Sequence, residues 1–81
     1  MATFKKRKGY EKYEIYRVFD KKDRIVGIVG IIRDMLRAEL MAECDGPPDA
    51  WVFIGKNSID GEWHTTRYGK NREDVIPWWI S

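Results

Sequence analysis

Eighty-one residues fit one domain and leave no room for a second. A hydrophobic content of 43% with 14% aromatic residues argues for a folded chain, and at this size folding buries roughly 63% of the unfolded surface, enough for one thin core. A net charge of +2 is too small to mark a wholly basic surface, and a single Cys with a single His excludes an internal disulfide and a Cys/His zinc site.

The chain opens on Lys5-Lys6-Arg7-Lys8. Like charges in a row repel, so residues 1–9 are expected to form a basic flexible arm ahead of a single α+β domain over 10–81. Residues 11–19, rich in Tyr, Ile, Val and Phe, predict a strand in which Tyr13 and Arg17 share a face. Asp20-Lys21-Lys22-Asp23 predicts a polar turn, and Arg24 to Val29 a second strand closing a hairpin.

A helix is expected next. Ile32, Met35, Leu36, Leu40 and Cys44 recur at the spacing of one helix face, with Arg33, Asp34, Arg37, Glu39 and Glu43 on the wet side. No Gly or Pro interrupts 31–45, and Gly46 followed by Pro47-Pro48 supplies the stop. Trp51-Val52-Phe53-Ile54 predicts a strand covered on both sides. Asp60-Gly61 predicts a hairpin turn, and 62–68 a strand whose alternation groups His64, Thr66 and Tyr68. Asn71 three residues before Asp74 is a weak helix start that Pro77 keeps short.

The expected fold is α+β: a four-stranded antiparallel sheet in the order β-β-α-β-β, one amphipathic helix on one face, and a short C-terminal tail. One helix covers one face, leaving the other wet, used for binding, or covered by the tail.

No apolar run approaches the roughly 20 residues of a bilayer span, and no secretory pattern follows Met1. The expected setting is therefore cytoplasmic and reducing, without membrane contact. Gly27-Ile28-Val29-Gly30 lacks the third glycine of a phosphate loop, and Ser58 and Ser81 lack a nucleophile-elbow context.

Charge is unevenly placed. Residues 1–30 carry nine cations and four anions, whereas 31–62 carry three and seven. Such a dipolar chain suits a protein partner with patches of both signs. The leading expectation is accordingly a non-enzymatic protein-binding module, an inhibitor or adaptor, by analogy with small host-blocking proteins of phages and mobile elements. Its contact residues would be Trp78, Trp79, Glu39, Glu43 and Asp45; the tryptophan pair could also join two copies in a homodimer. The plain alternative is that one tryptophan folds back to plug the sheet. A second expectation is nucleic-acid binding through Lys5, Lys6, Arg7, Lys8 and Lys12 with Tyr13 and Arg17 on an open sheet face, against a merely solubilising tail. A third is a metal-independent ribonuclease using His64, against an ordinary strand histidine. No cofactor and no metal are expected.

Overall fold

A computed structural model describes residues 2–40, 46–56 and 63–77, with the backbone alone for 56 and 63–66. Strands β1 (Thr3–Lys6), β2 (Ile15–Phe19), β3 (Ile25–Ile31), β4 (Trp51–Lys56) and β5 (Trp63–Gly69) form one antiparallel sheet in the order β1-β2-β3-β4-β5. Helix α1 (Ile32–Arg37) lies between β3 and β4, and a 3₁₀ turn (Arg72–Val75) follows β5. The expected four-stranded sheet with one long amphipathic helix is thus corrected twice: the sheet has five strands, and the helix is six residues long.

The fifth strand comes from the segment expected to be a flexible arm. Phe4 sits opposite Val18 and packs on the core beyond it, while Lys5 and Lys6 sit opposite Arg17 and Tyr16. One apolar residue is enough to dock β1, and its lysines suit an edge position, where charge discourages pairing with another chain. Between β1 and β2 the chain makes two successive turns, Tyr10 N–H to Arg7 carbonyl at 2.9 Å and Tyr13 N–H to Tyr10 carbonyl at 3.0 Å. Gly9 at φ +93° supplies the left-handed residue of the first turn. These turns consume residues that the sequence pattern had given to a longer strand.

The β2–β3 hairpin is held by Asp20. Its carboxylate accepts the backbone N–H groups of Lys22 and Arg24 at 2.9 and 3.0 Å, and Asp23 takes the left-handed conformation at φ 61°. A turn closed by one left-handed residue is the usual three-residue hairpin loop, and Asp tolerates that position.

Helix α1 ends early for a local reason. Glu39 has φ 58°, its N–H bonds the Leu36 carbonyl at 3.1 Å, and the Leu40 N–H reaches the Met35 carbonyl at 2.9 Å. This 5→2 and 6→1 pair is a Schellman ending, here without glycine. Leu40 then packs in the same cluster as Met35, the apolar contact that accompanies such an ending. The exposed face also differs from expectation: Asp34 is buried, and Leu36 is 39% exposed. Asp34 turns inward because its carboxylate accepts the Glu14 backbone N–H at 2.8 Å, tying the start of β2 to α1. The N–H groups of Ile32 and Arg33 bond the carbonyls of Ala50 and Pro48, so the chain before β4 caps the helix in place of a side chain, while the Ile31 N–H bonds the Glu14 carbonyl ahead of β2.

Both sheet faces are covered in part. On one, Val18, Val29 and Phe53 pack under Val75 from the 3₁₀ turn. On the other, Ile15 and Val52 pack under Ile32 and Met35 from α1. Val52 and Phe53, adjacent on β4, are 0% and 1% exposed and belong to opposite faces. Each such side chain contributes about 1.5–3 kcal/mol on burial. Gly27 permits the closest approach: a Cβ there would strike the Phe53 ring and lie 2.8 Å from the Ile54 carbonyl oxygen.

Candidate nucleic-acid interface

Six of the nine cations of the first thirty residues gather on β1, β2 and the two turns between them; Lys21, Lys22 and Arg24 lie in the β2–β3 connection. Antiparallel pairing places Lys5 opposite Arg17, on the face that carries α1, and Lys6 opposite Tyr16, on the other face. Aromatic side chains are interleaved with them. Lys5 lies 4.9 Å from the Phe19 ring centre, Arg17 lies 5.5 Å from the same ring, Arg7 lies 5.3 Å from Tyr10, and Lys12 lies 5.2 Å from Tyr13. Tyr10 and Tyr13 touch each other at 6.3 Å. A cation over an exposed ring gains about 0.5–1 kcal/mol and keeps donors free on its outer side.

Neutralisation is uneven. Lys5 reaches Asp23 at 3.5 Å, and Arg24 reaches Asp20 at 3.1 Å. Lys6 donates to the Glu11 backbone carbonyl at 2.8 Å. Among the described residues, Arg7, Lys8, Lys12 and Arg17 have no carboxylate within ion-pair distance. Glu11 spends its charge locally: its carboxylate accepts the Gly9 N–H at 2.9 Å. Its pKa is lowered by its own backbone N–H, by the Gly9 N–H and by Lys6. Glu14 accepts the Tyr16 hydroxyl at 2.8 Å, and that hydrogen bond raises the tyrosine pKa, keeping the phenol protonated.

Sequence reasoning missed Arg72. Its guanidinium lies 4.3 Å from the Phe4 ring centre and 4.9 Å from Tyr16, clasping the 3₁₀ turn onto β1 and β2. Tyr16 also stacks on Trp51 at 6.4 Å, so a ring row runs from Phe4 through Tyr16 to Trp51 on that face. No short-range signal links residue 72 to residues 4 and 16; only the folded tail brings them together.

The other expected site residues are not assembled here. Glu39 is exposed and serves as the left-handed residue ending α1. Glu43, Asp45, Trp78 and Trp79 lie outside the described residues. His64 is described by its backbone, paired with Gly55. The alternation expected over 62–68 is broken, because Phe53 faces Arg67 while Ile54 faces Thr65, so Thr66 has no partner across the pair. Among the described residues no three His, Cys, Asp or Glu side chains gather as metal ligands. No described helix is long and apolar enough to cross a membrane. No family model, no curated protein and no solved structure matches this chain.

Proposed function

We propose that the protein binds nucleic acid through the cationic end built by β1, β2 and their connection, with single strands preferred over duplex. The observation that carries this reading is the set Arg7, Lys8, Lys12 and Arg17, without carboxylate partners among the described residues and interleaved with Tyr10, Tyr13 and Phe19. Phosphates answer the cations, and displaced counterions supply the binding free energy. Half-buried rings offer a face on which an unpaired base stacks, a contact that bases inside a duplex do not make. The protein-binding reading through Trp78, Trp79, Glu39, Glu43 and Asp45 draws only Glu39 from the described residues, and Glu39 has a structural role there.

The test is fluorescence anisotropy of a labelled twelve-nucleotide single strand across a salt series. Four phosphate contacts give a slope of log K against log salt of about −3, and the variant Lys8→Ala/Lys12→Ala should bring it to about −1.5. A duplex of the same length should bind more weakly. Absence of binding at low salt, or a slope that the double variant leaves unchanged, refutes the reading.

A further inference from the structure

Helix α1 covers only part of its sheet face. Beside it lies a groove of about 550 Å³, floored by Ile25, Ile28 and Ile54, walled by Leu40, and rimmed by Arg7 and Arg17. Ile25 is 40% exposed, so the groove is open to solvent along one side. We propose that this groove docks an acidic, aliphatic segment of a partner protein, with leucine- or isoleucine-type side chains on the floor and carboxylates on the two arginines.

The floor argues for aliphatic side chains. With Met35 and Leu40 it offers aliphatic and thioether surface and no ring, so a nucleobase would find no ring to stack on there, whereas an aliphatic side chain would bury both surfaces. The rim argues for carboxylates. Neither Arg7 nor Arg17 has a carboxylate within ion-pair distance among the described residues. A planar guanidinium donates two parallel hydrogen bonds to a carboxylate, which adds geometric selectivity to the charge. The open side argues for a chain laid along the groove rather than a small molecule enclosed in it. Charge complementarity and the aliphatic floor therefore converge on one kind of partner; Arg7 and Arg17 are shared with the nucleic-acid reading, and the floor is the observation that reading does not use.

The probe is a synthetic twelve-residue acetylated peptide with leucines four residues apart and glutamates between them, titrated into the full chain by calorimetry. The wild-type protein should bind it. Arg17→Met keeps the hydrocarbon stem and removes the guanidinium, and Ile25→Asp alters an exposed floor position; each should weaken binding at least tenfold. Lys8→Ala/Lys12→Ala should leave it unchanged while weakening the oligonucleotide, so the two readings fail separately. Circular dichroism of each variant checks that the sheet is intact. The proposal is overturned if the peptide fails to bind at millimolar concentration, or if a lysine-for-glutamate version binds equally well. Because Arg7 and Arg17 serve both ligands, an oligonucleotide should compete with the peptide; the proposal is overturned if Ile25→Asp weakens the oligonucleotide as much as the peptide, which would give the groove to nucleic acid. Tighter binding by Glu43→Gln/Asp45→Asn would overturn it too, by making the chain's own acidic segment the competitor.

Discussion

Replacing Glu39 by glycine should stabilise the protein. Glu39 holds φ 58° as the left-handed residue of the helix ending. A side chain in that region costs roughly 1–2 kcal/mol through the Cβ clash with the carbonyl oxygen, and glycine removes it. Glycine also loses more unfolded-state freedom on folding, about 0.5–1 kcal/mol. The net gain is therefore about 0.5–1 kcal/mol, and in a domain of this size it should raise Tm by about 3–6 °C. Thermal unfolding followed by circular dichroism measures it, with Glu39→Ala as the companion variant. Alanine meets the same left-handed penalty, so its effect should be close to zero. A continuous helix over 31–45, as the apolar spacing alone suggests, gives the opposite pattern: glycine would cost about 1 kcal/mol and alanine would gain a few tenths. A lower Tm for glycine with a higher one for alanine would therefore refute the Schellman ending.

Substitutions at four further positions probe the contacts that fix the sheet. Gly27→Ala drives a methyl group into the Phe53 ring and toward the Ile54 carbonyl, and should destabilise by about 1–3 kcal/mol. Gly30→Ala chiefly displaces the flexible Met35 side chain and should cost less; urea unfolding ranks them, and a reversed order would refute the packing described. Asp34→Ala leaves the Glu14 N–H without its acceptor and should cost about 1–3 kcal/mol, whereas Asp34→Asn retains an acceptor oxygen and should cost less. Equal losses would remove the hydrogen bond from the account. Asp20 has its pKa lowered, first by the Arg24 backbone N–H, with further help from the Lys22 N–H and the Arg24 side chain. Its stabilising contribution is complete above its unfolded pKa of about 3.9 and is lost as pH falls through the lower folded value. Acid titration of stability should therefore show a drop that Asp20→Asn makes shallower; an identical acid limb in the variant would refute the linkage.

The strands were legible where apolar residues formed runs. Ile25 to Val29 and Trp51 to Ile54 announce β3 and β4, and Asp20 with Asp23 announces the hairpin before β3. β1 was not legible, because Phe4 is a lone apolar residue among lysines and charge repulsion dominates a reading of four to eight residues. Its pairing depends on Val18, fourteen positions away in sequence. The helix was overextended for the converse reason. Leu36, Leu40 and Cys44 satisfy a 3.6-residue period, yet the ending rests on a non-glycine left-handed residue, which carries no sequence signal. Asp34 misled because its partner is the Glu14 backbone, a relation that no local pattern encodes. At the candidate interface, the cations themselves were legible; their division between two faces followed only from the register that pairs Lys5 with Arg17 and Lys6 with Tyr16.

That division has a consequence for binding. On the face covered by the 3₁₀ turn, Lys6 and Arg72 lie against Phe4 and Tyr16, and Arg72 is also paired with Glu73 at 3.3 Å. Arg72 is engaged in holding the tail onto the sheet, and Lys6 is engaged by the Tyr16 ring and the Glu11 carbonyl. On the face carrying α1, the helix stops after six residues and leaves β2 and β3 uncovered near Ile25 and Ile28, where Arg7 and Arg17 stand without carboxylates among the described residues. The short helix is thus what opens the side of the sheet where cations remain available. If α1 continued past Glu39 in the direction the apolar spacing implies, Leu40 would leave the groove wall, and the groove would change shape. Helix termination and recognition are therefore linked through one residue: Glu39→Ala should leave peptide affinity intact, whereas Leu40→Ser should weaken it while retaining oligonucleotide binding. Equal peptide affinity in Leu40→Ser would separate the helix ending from the groove.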